Sequence, residues 1–174
     1  GGAIASRLVV QEMTFAFQTA AWNSAPLSAL QAGVSASLYS LQKLARQSNY
    51  LSRMGSTVVA AVLEEGTISL LNVGDSRAYF IYPDGRIQPV TQDHSLVRRL
   101  VELGQITEDE AKVHPNRNVL YRALGQSEPF KPDIHTHPLP QPGYMLLCSD
   151  GLWGVVPDVE IFRIVQSAKS LSLA

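Results

Sequence analysis

Residues 144–156 read YMLLCSDGLWGVV, and Asp150 within them poses the central question. The run from Tyr144 to Cys148 is continuously apolar and predicts a buried strand, and Ser149 then delivers Asp150 onto Gly151. Carboxylates are rarely buried unless a partner compensates for lost hydration, so an aspartate ending an apolar strand needs one.

Reading outward, two helices come first. Ile4, Leu8, Val9, Met13 and Phe17 recur at helical spacing from Ile4 to about Ala21, where NSAP breaks the pattern. Ser24 is placed to cap a second helix with Pro26 in its first turn, and Leu27, Leu30, Val34, Leu38 and Leu41 form its apolar stripe. After Gly55 the texture becomes β-rich: STVVAAVL, a turn at EEGT, ISLLNV, a tight GDSR, AYFIY, a turn at PDG, then RIQPV. This predicts an antiparallel meander joined by hairpins. A helical stretch carrying Leu96, Val97, Leu100, Val101 and Leu103 stops at Gly104, and Thr107 to Glu110 offers a capping box. NVLYRALG and EPFKPDIHTHPLPQPG return towards strand. A last helix, opened by Pro157 and Asp158, is expected to bury Val159, Phe162 and Val165 or their neighbours. The order of elements argues for an α+β fold in which helices cover sheets, not an alternating βαβ fold.

The bulk numbers set bounds. The 174 residues, 45% of them hydrophobic, suffice for one domain with a real core. A net charge of −1 supplies no general field for nucleic acid or an anionic membrane. Cys148 is the single cysteine, so no intramolecular disulfide forms, which suits a reducing, cytoplasmic compartment. No apolar run approaches the roughly 20 residues of a membrane span, and no secretory leader is visible.

Asp93 in VTQDHS and Asp150 in LLCSDG both follow β-like segments, and Asp75 lies in the turn NVGDSR. Carboxylates converging at strand ends can hold a hard cation such as Mg²⁺ or Mn²⁺, and a following glycine lets backbone and water approach it. Each aspartate can equally be a turn or cap former, and spacing alone leaves both readings open.

The linked motifs GSTVVAAVL, LNVGDSRAYFI, VTQDHSLVRRLVELGQITEDEA, HPNRNVLYRALG and LLCSDGLW occur in the order and approximate spacing of the metal-dependent protein serine/threonine phosphatases of the 2C type. The opening GGAIASRLVV also resembles the helix after that family's first metal-binding turn, and DHSLV, ITEDEA and HPNRNV resemble its bacterial branch. The resemblance runs over nearly the whole chain. It implies a four-layer α-β-β-α sandwich of two antiparallel sheets flanked by helices, with a dinuclear Mg²⁺ or Mn²⁺ site at one end. It implies hydrolysis of phosphoserine and phosphothreonine in phosphoproteins by a metal-activated water, without a protein nucleophile. Phosphorylated proteins are then the expected partners, with a serine/threonine kinase as a further one.

Carried over by motif, Asp150 is expected to bind the dinuclear centre, and Asp93 to hold a weaker accessory ion together with it. Many members place another aspartate four residues after the SDG one, where this chain has Gly154. The family's Asp-Gly-x-Gly-Gly turn belongs just before Gly1 and its Asp-Asn motif after the helix ending near Ala168. The expectation is therefore a single domain over residues 1–174, incomplete at both termini, with residues 94–118 as a flap. The alternative is a pseudophosphatase that keeps the sandwich and serves as a protein-binding module. A haloacid-dehalogenase-type reading is disfavoured, because Asp150 is preceded by Ser149 and comes late, whereas that chemistry calls for an early Asp-x-Asp pair.

Other residues receive structural readings. Asp75 and Ser76 are expected to satisfy turn backbone while Arg77 pairs with a nearby carboxylate. Cys148 is expected to be buried and inert. His135 and His137 share one face of an extended segment and are read as a solvated strand face. His94 is expected to orient its neighbour or the loop, and His114 lies in the segment resembling the flap.

Overall fold

The computed structural model describes residues 1–20, 25–47, 54–126 and 131–168. Helices α1 (Gly2–Thr19) and α2 (Pro26–Gln47) pack side by side and present Val9, Met13, Leu30, Val34 and Leu41 to a common core. The α2 stripe lies where its spacing places it. On α1 the buried face is instead Ala5, Val9 and Met13, while Ile4 and Phe17 are exposed, because the helix meets α2 at Met13. Gly33 of α2 shows why: a Cβ there would sit 2.7 Å from the Met13 sulfur. The expected Ser24 cap lies outside the described residues.

The strands form two three-stranded antiparallel sheets, not one meander. Strands β1 (Val58–Glu64), β2 (Thr67–Val73) and β5 (Asp133–Pro138) make the first sheet, with β2 central. Strands β4 (Ile87–Pro89), β3 (Arg77–Ile81) and β6 (Tyr144–Cys148) make the second, with β3 central. The chain therefore changes sheets at Gly74–Ser76, where a hairpin is expected from sequence. Alternation along each strand sorts the side chains into layers. Leu71 and Val73 face the helix pair, whereas Ile68 and Leu70 meet Ala78 and Phe80 of β3 between the sheets. Strand β6 is half-exposed, with Tyr144 and Leu147 open to solvent, because β3 is its only strand neighbour among the described residues.

Helices α3 (Leu96–Glu102) and α4 (Glu108–Val113) bury no residue. Ser95 caps α3, and Thr107 with Glu110 completes the expected capping box on α4. The segment is fixed at its root by the Leu96 amide donating to the Val119 carbonyl and the Tyr121 amide to the His94 carbonyl. A single helical turn, α5 (Asp150–Trp153), follows β6 directly. In α6 (Asp158–Ser167) Ile161 is the buried residue, Phe162 and Val165 are half-buried, and Val159 is exposed. Phe162 packs near Gly85 and Gln166 donates to the Pro83 carbonyl, setting α6 beside the β3–β4 hairpin.

Candidate functional site

Asp150 leaves β6 as the first residue of α5 and is exposed. Its backbone carbonyl accepts from the Gly154 amide at 2.8 Å, so the turn closes on itself and carries the carboxylate at its start. Asp75 sits on the sheet-changing turn between β2 and β3. Gly74 makes that turn at φ +104°, a backbone conformation that favours glycine.

The two carboxylates share one field. Burial pushes the Asp75 carboxyl above its ordinary pKa, and the negative charges of Asp150 and then Asp93 push it further. Trp153, at the end of α5, donates its indole N–H to the Asp75 carbonyl at 2.9 Å. Asp75, read from sequence as a turn former, thus lies where charge accumulates.

Asp93 is differently occupied from the expectation of an accessory metal ligand. Both carboxylate oxygens accept from Arg77, Oδ1 from Nε at 2.9 Å and Oδ2 from Nη2 at 2.7 Å. The residue is only 7% exposed, and this two-point fork engages one lone pair on each of its oxygens. Arg77 also donates to the Tyr79 hydroxyl at 3.1 Å and lies 3.5 Å over the Trp153 ring. Burial works against its charge, but the bonds to Asp93 and Tyr79 outweigh it and raise the guanidinium pKa above its ordinary value. The pairing of Arg77 with a carboxylate is as expected, and the carboxylate is that of Asp93.

Behind the turn, His94 is 1% exposed. Its Nδ1 accepts from the Gly74 amide at 2.9 Å, so the proton lies on Nε2, which donates to Asp133 Oδ2 at 3.0 Å. Burial lowers its pKa, and the neutral ring orients the turn. Arg122 donates to Asp133 Oδ1 at 2.6 Å, so both roots of the α3–α4 segment meet on one carboxylate. The Cys148 thiol is pushed up by burial, which disfavours the thiolate. His135 is exposed; His137 is half-buried, edge-on to Phe80, with Nε2 unpartnered.

Among the described residues no group of three or more His, Cys, Asp or Glu side chains is placed to hold a metal. Two carboxylates whose mutual repulsion a cation relieves still suit Mg²⁺ or Mn²⁺, which are bound through one or two carboxylates and keep several waters. Local turn chemistry favours the structural reading of Asp75; its position at a strand end, shared with Asp150, is the sequence signal for a role beside that residue.

A model of the family described as Protein phosphatase 2C matches residues 9–172. The serine/threonine phosphatase stp of Listeria welshimeri is 40% identical over 122 residues, covering 70% of this chain and 48% of that protein. Protein phosphatase PhpP of Streptococcus pneumoniae is 37% identical over 114 residues, covering 66% and 46%. The chain thus spans about half the length of the curated relatives it matches. Among solved structures, the serine/threonine phosphatase Stp1 of Staphylococcus aureus superposes with a TM-score of 0.88 at 33% identity, covering 97% of this chain and 67% of that one. The catalytic domain of the phosphatase PstP in complex with 2 manganese ions superposes with a TM-score of 0.82 at 29% identity, covering 96% and 69%.

Proposed function

Because this chain belongs to the protein phosphatase 2C family, we propose that it forms part of a metal-dependent phosphatase acting on phosphoserine and phosphothreonine in phosphoproteins. The observation that carries the reading is that Asp75 and Asp150 are set at strand ends on two short turns, which the Trp153 indole joins by donating to the Asp75 carbonyl at 2.9 Å. The relatives named as serine/threonine phosphatases, and the PstP domain in complex with manganese, support it.

Asp150 and Asp75 are the residues assigned to Mg²⁺ or Mn²⁺. Asp93 is assigned to Arg77, which it keeps charged and oriented. When bound, the ion supplies Lewis acidity, a nucleophile from water at neutral pH, and neutralisation of phosphoryl charge. The chain's own groups do the rest. Asp150 is presented on a closed turn, Asp75 is held through its carbonyl by Trp153, and His94 stays neutral and orients Gly74. A protein nucleophile is not required, and the Cys148 thiol is poorly suited to be one. Residues 94–118 are assigned the role of a substrate-selecting flap, rooted at the buried His94 and Ser95 and carrying helices α3 and α4, which bury no residue. Among the described residues no helix is long and apolar enough to cross a membrane. We place the protein in the cytoplasm, with a serine/threonine kinase supplying the phosphoproteins.

The test is release of inorganic phosphate from a phosphothreonine peptide by the intact protein, with Mn²⁺ and with excess chelator. Turnover that needs Mn²⁺ supports the reading. Equal rates with and without the metal contradict it, and peptide binding without turnover points to the binding-module alternative.

A further inference from the structure

The two turns that carry Asp75 and Asp150 are joined by one stacked pair of side chains. Arg77 follows Asp75 by two residues on β3, and Trp153 follows Asp150 by three at the end of α5. The guanidinium carbon lies 3.5 Å from the indole ring centroid. The same indole donates its N–H to the Asp75 carbonyl, a contact spanning 78 residues of sequence. The guanidinium plane is held against rotation, because Nε and Nη2 are engaged by Asp93 and Nη1 by Tyr79. Asp75 lies between strands and outside their ladders, so the sheets alone leave its distance from Asp150 unset.

We propose that Arg77 and Trp153 are positioning residues for the divalent ion. Their stack sets the separation of Asp75 and Asp150 before the ion arrives, and Asp93 is the counter-ion that orients it. This rests on the assignment of Asp75 and Asp150 to the cation. Two like-charged carboxylates repel, so on unclamped turns they drift apart, and metal binding must then supply the ordering as well as the coordination. The stack opposes that drift through a partly desolvated cation–π contact and one hydrogen bond.

The experiment measures Mn²⁺ binding directly, by electron paramagnetic resonance of free Mn²⁺ during titration of the intact protein. Thermal melting is recorded in parallel for every variant. Trp153→Phe keeps a ring for the stack and removes the donor; its expected loss of Mn²⁺ affinity is about threefold to tenfold. Trp153→Ala removes both contacts and is expected to lose roughly tenfold or more. Arg77→Lys keeps the charge without the planar fork and is expected to fall between wild type and Trp153→Ala. Arg86→Ala, which breaks an exposed stack on Tyr82 at the far hairpin, serves as the control and is expected to bind Mn²⁺ as wild type does. Graded losses in variants that remain folded at the titration temperature support the proposal.

Wild-type affinity in folded Trp153→Ala overturns it, as do losses that merely follow the unfolded fraction. Asp150→Asn separates the two levels. If it binds Mn²⁺ as wild type does, the cation assignment itself fails; if it loses affinity while Trp153→Ala does not, only the clamp fails.

Discussion

Gly74 and Thr57 approach so closely that a Cβ on Gly74 would stand 2.3 Å from Thr57 Cγ2. Gly74 also holds a φ of +104°. The position therefore combines left-handed backbone, which costs a residue bearing a Cβ about 1–2 kcal/mol, with overpacking of about 1–3 kcal/mol. Gly74→Ala is expected to lower stability by about 2–5 kcal/mol and to displace Asp75, which denaturant unfolding and Mn²⁺ titration of the surviving folded protein both report.

Asp75 should trade stability for metal binding. Its carboxyl pKa is raised in the fold, so the native state binds a proton more tightly there than the unfolded chain does. The resulting penalty sets in as pH rises through 3.8 and persists at neutral pH. Asp75→Asn should therefore melt at a higher temperature than wild type at pH 7 without metal, the gain vanishing in strong acid, while its Mn²⁺ affinity falls.

His94 and Asp133 set the acid limb. Both have folded pKa values below their ordinary ones, His94 through burial, and Asp133 through bonds to His94 and Arg122 that outweigh its own burial. Each contributes stability above its unfolded pKa that is lost as pH falls towards its folded value. For His94 the loss begins below pH 6.5, and for Asp133 it begins near pH 3.8. A melting profile from pH 8 to pH 3 should decline in two stages, and His94→Asn, less stable throughout, should lack the first.

Asp133 accepts from both ends of the α3–α4 segment, from His94 and from Arg122. Asp133→Asn weakens two charge-assisted contacts and is expected to cost about 1–3 kcal/mol. Hydrogen exchange over residues 96–113 should quicken more than exchange in β2, because the segment buries no residue of its own and depends on its roots.

Much of this molecule is legible in its sequence, and the exceptions share a cause. The α2 stripe, the Thr107 capping box and the hairpins at Glu65–Gly66 and Asp84–Gly85 follow from local periodicity and turn chemistry. The sheet change at Gly74–Ser76 does not, since a tight polar turn looks the same whether the next strand pairs back or crosses to another sheet. The run Tyr144–Cys148 predicts a fully buried strand, yet composition carries no information about how many neighbours a strand has. Asp93 and Asp75 are alike as residues at strand ends. Only the fold brings Arg77 across to Asp93, 16 positions away, and leaves Asp75 in the field of Asp150.

The most direct test compares the three aspartates in one Mn²⁺ titration of the intact protein, with bound ions counted and phosphate release from a phosphothreonine peptide followed in the same samples. Asp75→Asn and Asp150→Asn are each expected to lower Mn²⁺ affinity by tenfold or more, because a neutral amide replaces a charged oxygen donor. Asp93→Asn, whose amide oxygen still accepts one bond from Arg77, is expected to lose markedly less affinity and to keep metal-dependent turnover. Loss of bound Mn²⁺ in Asp93→Asn as complete as in Asp150→Asn, with Asp75→Asn binding as wild type does, would contradict the assignment and return Asp93 to the metal.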